Sequence, residues 1–503
     1  MALLGVQLVV TLLTISIMQK VTQRFSFGKW LLCKTGLVYY LHPTDEELRK
    51  LAGIPQPKVK EVNKDIKSSF SKKKRKGKNH EESDDKTFMV PRNLDIQLET
   101  AKIMHYDVLQ LKFYTEFQWL IDYSVFVMFV YLVTEIYCGF IPKSTQEVNL
   151  SMLWCLLLIG FTLKSLCSVT GLYFWNDDAA AERSMVLVGG GFCFLLALVL
   201  LLIDESNLEL GLDAAYSSFN QTASLFLEQQ AIPSDGPASK LILKLCAAVW
   251  CGLSGALYIF PGLRVSRMHW DALRYCGERS MLKGFIYLNL VSPFLLSLLW
   301  IKPLTRHYFT VRIFPGMQQA LMTDNEFDSM RLWLCVTLTL IRLVTAPSCF
   351  QAYLNMAQDR LETLKKEAGR ISNIELQRKV AIIFYYLCVV GLQYVAPIIL
   401  CLGFTFMNKT LGGYGWFGQH VYNPDECSTK QEAFVTLSKL IPSEDNSLAS
   451  AREHWLMALS SFRQVFSYEV FRGILGFATW WSQFLCFTTI GIGLAYQSYM
   501  GEA

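Results

Sequence analysis

Eight continuous apolar stretches, each close to the length needed to cross a bilayer, constrain this chain more than any other feature. A hydrocarbon core of about 30 Å takes roughly 17 to 25 helical residues. The runs 2–18, 117–141, 150–174, 185–203, 241–260, 284–300, 381–406 and 474–496 meet that need. A ninth, 332–346, is shorter and contains Arg342; it spans if Arg342 sits near one face and snorkels into the headgroups. No run alternates in the manner of a barrel strand, and lipid offers nothing to an unpaired backbone amide, so helices are expected. Composition agrees, since 52% hydrophobic and 18% charged residues over 503 positions is too apolar for a soluble domain of this size. The expected fold is all-α, a polytopic transmembrane helix bundle of about nine spans in the lipid bilayer.

Two independent signals set the orientation. Basic residues collect on the cytosolic side of membrane proteins, and here they lie after the first run (Lys20, Arg24, Lys29, then Lys72 to Lys78), at Arg264, Arg267, Arg274, Arg279 and Lys283, and from Arg360 to Lys379. Glycosylation sequons are read only in the lumen, and Asn149, Asn220 and Asn408 each open an Asn-X-Ser/Thr triplet. Nine helices with a luminal or extracellular N-terminus and a cytosolic C-terminus put every basic segment on one side and every sequon on the other. Asn149 and Asn408 lie close to membrane ends, which makes Asn220 the best acceptor. The first run has no basic residues before it and several after it, so a retained helix is expected rather than a cleaved leader.

This topology divides the chain into a first helix and flank (1–29), a cytosolic loop (30–116), a helix bundle (117–406), a luminal loop (407–473) and a last helix with a short cytosolic tail (474–503). Within the cytosolic loop, Thr44 and Glu47 have the spacing of a capping box and Gly53 supplies a stop, which predicts a short helix between them. Residues 57–88 are rich in Lys, Ser and Glu and poor in apolar positions, so disorder is expected there. The Lys72–Lys78 cluster is a solvated basic segment suited to anionic lipid, and no nucleic-acid partner is expected. Luminal residues 207–230 and cytosolic residues 351–379 show helical periodicity, predicting amphipathic helices that lie on the membrane or on the bundle. Most of the 14 cysteines fall in or beside apolar runs, where cysteine is a small buried hydrophobe, and no disulfide framework is expected.

Ionisable residues inside a bilayer are costly and mark function or packing. Asp122 and Glu135 fall in the second run, Lys164 in the third and Arg342 in the seventh. An Asp122–Lys164 pair is geometrically open, and Glu135 lies near the luminal end. These groups either fix helix packing or line a path for an ion or solute. Asn289, Gln393 and Gln483 suit interhelical hydrogen bonds, Pro293 and Pro397 suit kinks, and Gly189–Gly191, Gly252 and Gly255 suit close helix approach. The seven histidines fall outside the apolar runs, and no His-Glu-x-x-His, Gly-x-Ser-x-Gly or Cys/His metal spacing is present. No enzyme and no cofactor is therefore expected.

Words spread along the whole chain are similar to the transmembrane protein 161 family of animals. They include Gly5–Thr11, His42–Gly53, Glu116–Asp122, Tyr131–Glu135, Phe260–Arg264, Arg331–Leu334, Lys366–Ser372, Leu392–Pro397, Lys409–Gly413 and Phe471–Gly473. The sequence departs from the vertebrate pattern in its longer Lys-rich insert around 57–88 and in the segment 414–469. The resemblance implies a non-enzymatic multi-pass protein, and the absence of an evident retention signal leaves its membrane open between the plasma membrane and the endoplasmic reticulum. It further implies control of cardiac rhythm through potassium and calcium currents, or protection against oxidative stress, through ion channels or other membrane proteins as partners. A transporter or channel conducting along the intramembrane charges is the alternative.

Overall fold

The computed structural model describes residues 6–53, 88–90, 96–140, 151–175, 180–229, 239–316, 318–366, 371–418 and 466–501. Its helices in chain order are α1 (Val6–Arg24), α2 (Phe27–Cys33), α3 (Asp45–Ala52), α4 (His105–Val108), α5 (Tyr114–Phe140), α6 (Ser151–Phe174) and α7 (Ala180–Leu201). There follow α8 (Leu212–Gln229), α9 (Lys240–Tyr275), α10 (Ser280–Leu298), α11 (Asp324–Val344), α12 (Ala346–Lys366), α13 (Asn373–Tyr385), α14 (Leu387–Leu411) and α15 (Tyr468–Gly501). A π-helical turn (His307–Val311) and four strands of two or three residues complete the described elements, the strands being β1 (Val38–Tyr40), β2 (Met89–Val90), β3 (Thr100–Lys102) and β4 (Ile371–Ser372).

Seven helical stretches among the described residues are long and apolar enough to cross a membrane: Tyr114–Gly139, Ser151–Phe174, Ala180–Leu201, Lys240–Tyr275, Ser280–Leu298, Asp324–Lys366 and Asn373–Leu411. They correspond to seven of the nine expected runs. The other two also form helix. The description of the first starts at Val6, and α15 dilutes its apolar surface with Ser482, Gln483, Thr488 and Thr489. The α9 helix runs 36 residues, about 54 Å at 1.5 Å per residue, so it outreaches a bilayer and takes His269 into its buried face.

The chain divides into two compact units. The larger comprises Met1–Gly28, Thr115–Ala346 and Val390–Ala503. Within it every residue from Val390 to Lys409 is buried, so this part of α14 is surrounded by protein on all sides, as a helix with no polar face requires. Glycine permits the tightest approaches. A Cβ on Gly252 of α9 would come within 2.9 Å of Phe194 Cβ on α7, and one on Gly190 within 3.0 Å of Ala256 Cβ. Gly191, by contrast, faces open space. The α8 helix rests on α15, where Ser218 and Ser467 share a hydrogen bond of 2.8 Å.

The smaller unit comprises Lys29–Tyr114 and Pro347–Val389. It contains the expected short helix: Thr44 Oγ1 accepts from Glu47 N–H, the Glu47 carboxylate accepts from Thr44 N–H, and Gly53 ends α3 in the left-handed region at φ 65°. Antiparallel pairing joins β1 to β3 and β2 to β4. Leu48, Val90, Ile96, Leu361, Leu364 and Leu376 form its core. Asn373 Nδ2 donates to Asp45 Oδ1 at 2.8 Å, and Gln377 Nε2 donates to Pro43 O at 2.9 Å.

Two expectations change here. The region 30–116 is no open loop around one helix, because its flanks fold with residues of the far segment 371–377. Of the segment 57–88 only Phe88 lies within the described residues. The region 351–379 is two helices rather than one, since Ser372 accepts from Glu375 N and starts α13 after the β4 residues.

Candidate functional site: buried polar centres of the helix bundle

The larger unit holds its intramembrane charges in separate polar centres. In the first, Asp122 of α5 is buried and accepts from Gly28 N–H at 2.9 Å and from Ser26 Oγ at 2.7 Å. Ser26 lies between α1 and α2 and Gly28 in the first turn of α2, so the carboxylate fastens the junction of these helices to α5. Asp122 and Lys164 form no pair. Lys164 is exposed on α6, and the carboxylate that feels its charge is Glu116, about two turns before Asp122 on α5. The 3.6-residue helical repeat turns these two acids to different positions around α5, a distinction that depth along the sequence does not capture.

In the second centre, Glu135 is paired with Lys409 from the end of α14, while Trp416 Nε1 donates to the same carboxylate oxygen at 3.2 Å. The Lys409 ammonium also lies 5.6 Å from the Trp416 ring centroid, within cation–π range. One turn away on α5, Tyr131 shares a hydrogen bond of 3.2 Å with Thr410. Breaking a buried pair of this kind costs about 3–5 kcal/mol because the remaining charge is stranded. Lys409 lies one turn beyond the apolar run 381–406, and that position is the one signal in the sequence for a charge at this end of the helix.

The third centre surrounds Arg342, which does not snorkel. It is 2% exposed and enclosed by α10, α11, α14 and α15. Its Nε donates to Asn289 Oδ1 at 3.3 Å. Asn289 Nδ2 in turn donates to Thr345 Oγ1 at 3.0 Å and to Tyr394 OH at 2.9 Å. Tyr394 OH closes the circuit on the Arg342 carbonyl at 2.7 Å. Cys486 of α15 completes the shell at hydrogen-bonding reach of the guanidinium, with Cys401 of α14 nearby. Among the described residues no carboxylate pairs with Arg342, and its Nη1 is buried without a hydrogen-bond partner.

A fourth centre, unforeseen from the sequence, lies at one end of the unit where the turns 204–211 and 299–306 meet. Glu209 N–H donates to Trp300 O at 2.8 Å, and Lys302 N–H donates to Asn207 O at 3.0 Å. Arg306 binds Glu209 through two nitrogens at 2.8 and 2.9 Å, reaches Asp324 at 3.0 Å, and pairs with Asp328. Arg331 binds the same Asp328 at 3.0 Å and stacks over Trp300 at 4.8 Å. Burial alone would lower the Arg306 guanidinium, but the Asp328 and Glu209 carboxylates outweigh it and hold the group above its ordinary value. The residues are scattered over more than 120 positions, so no local spacing could announce them.

Of the sequons, Asn149 lies outside the described residues. Asn220 sits half-buried in α8. Asn408 is 5% exposed in the last turn of α14, so the folded protein does not present its amide. The Lys72–Lys78 cluster also lies outside the described residues. Among the described residues no group of three or more His, Cys, Asp or Glu side chains is placed to hold a metal ion.

Seven long apolar helices, with charges buried between them rather than on a soluble surface, define a multi-pass α-helical membrane protein. The chain matches the family described as Predicted transmembrane protein 161AB over residues 2–501, and it belongs to that family. No solved structure matches it.

Proposed function

We propose that this protein is a non-enzymatic modulator of potassium and calcium currents, acting on channels or other membrane proteins, as the family resemblance implies. The observation that carries the reading is that both intramembrane carboxylates are occupied inside the bundle. Asp122 is held by Ser26 and Gly28, and Glu135 by Lys409 and Trp416. An ion path needs polar groups free to exchange partners along it, whereas these groups act as fasteners between helices. The smaller unit offers a folded surface on which a partner can act. Its two parts are the segments Lys29–Tyr114 and Pro347–Val389, and their joint folding requires both on one side of the membrane. This supports the orientation with nine spans, a luminal N-terminus and that unit in the cytosol, at the plasma membrane or the endoplasmic reticulum.

Whole-cell recording with and without the protein tests the reading, paired with ion flux through liposomes that contain the purified chain. Currents that change only when a native channel is co-expressed, with no flux in liposomes, support it. Flux through the pure protein that falls in Asp122→Asn or Lys164→Met would replace it with the transporter reading. Unchanged currents with folded protein at the surface would leave the stress-protective role as the one the resemblance implies.

A further inference from the structure

Arg342 carries a full positive charge into the centre of the larger unit, where the described residues supply no carboxylate to neutralise it. The nearest compensation is the C-terminal end of α11, which Arg342 itself occupies, and a helix end contributes only about half a charge. That end is already in use: the Arg342 carbonyl accepts from Tyr394 OH at 2.7 Å and from Thr345 Oγ1 at 3.0 Å. Asn289 offers one carbonyl oxygen to Nε, and its amide hydrogens go to Thr345 and Tyr394. What remains is Nη1, fully buried, a charged donor with nothing to donate to among the described residues.

Buried polar groups find partners, and a buried charge finds an opposite charge, because neither can be left unmet in a low-dielectric interior. We propose that Arg342 is the core of a binding site for a small inorganic anion of the halide class. The anion would be held by the guanidinium, with the Cys486 thiol beside it. Arg342 is 2% exposed among four helices, so a lipid phosphate with its two acyl chains cannot follow it there, and a monatomic anion is the smallest group that answers its charge. Arginine suits the role, since its charge persists when buried and its planar donors reach past the one occupied by Asn289.

The test is thermal unfolding of the full chain in detergent at fixed pH and ionic strength, comparing sodium chloride, bromide and gluconate. In the wild type the midpoint should rise saturably with chloride or bromide over gluconate. Arg342→Gln should lose that increment, whereas Lys164→Met, an exposed cation outside the centre, should keep it. Identical midpoints in all three salts, or an increment unchanged in Arg342→Gln, would overturn the proposal. Should Arg342→Gln fail to fold, bromide located by its anomalous scattering in crystals of the wild type decides the matter. Signal beside Nη1 supports the site, and its absence there with bromide present refutes it.

Discussion

Lys409, in the last turn of α14, is paired with Glu135 of α5, and both residues are shielded from solvent. A third group, the Trp416 indole, holds the carboxylate from the segment that follows α14. The pair therefore fixes the ends of two membrane helices in register and ties down the chain that leaves them.

Removing one partner should cost more than removing both. Glu135→Gln or Lys409→Met alone strands a buried charge and should lower stability by about 3–5 kcal/mol, while the double variant should recover much of that loss. Thermal unfolding of the four proteins in detergent closes the cycle. Additive losses would show that the two side chains act independently.

Gly28 is required by space rather than by conformation. A Cβ there would lie 2.8 Å from Gln118 Cα, a backbone atom of α5 that cannot rotate away. Gly28→Ala should push the start of α2 off Asp122 and destabilise the protein by about 1–3 kcal/mol. Asp122→Ala, which removes the acceptor of both Ser26 and Gly28, should release the same segment. Limited proteolysis between α1 and α2 reads both variants, and protection equal to wild type would refute the fastening role.

Asp213 gives the larger unit an acid-sensitive contact outside the spans. Burial raises its carboxyl, but Lys240 at 2.9 Å and Lys244 at 3.2 Å outweigh that and hold it below its ordinary value of 3.8. A depressed carboxyl adds stability that is complete above the ordinary value and is lost as the pH falls through the depressed one. The difference in midpoint between wild type and Asp213→Asn should be constant from pH 7 to about pH 5 and shrink below about pH 4. A difference that persists unchanged to pH 3 would contradict the pairing.

Glycosylation reports the orientation. If the end of the unit that carries α8 is luminal, Asn220 is the acceptor, and treatment with an endoglycosidase should shift the wild type but not Asn220→Gln. Asn408→Gln should leave the shift in place, because that amide is buried in α14. A shift lost in Asn408→Gln and kept in Asn220→Gln would reverse this assignment.

Leu48 is fully buried in the core of the smaller unit, against Leu361, Leu364 and Leu376 from the far segment. Leu48→Ala should cost about 2–5 kcal/mol. Hydrogen exchange should then accelerate in α3 and α13 together; acceleration confined to α3 would show that the two segments fold separately.

The sequence by itself determined the elements whose causes are local. Apolar runs matched to bilayer thickness gave seven membrane-length helices, the Thr44, Glu47 and Gly53 spacing gave α3 with both caps, and ordered family words ran through nearly the whole chain. Gly190 and Gly252 were legible as close-packing positions because a missing side chain has few other uses within a membrane helix. Tertiary structure decided which charges meet. Asp122 lies on α5 at a depth that would suit Lys164, yet the rotation of each helix about its axis turns them apart and presents Asp122 to Gly28. Depth along a helix is written in the spacing of residues, but direction around it is set by what packs against each face. For the same reason Arg342, read as a snorkelling residue, is enclosed by four helices, and Glu209, Arg306, Asp328 and Arg331 form one ionic network that no stretch of sequence contains.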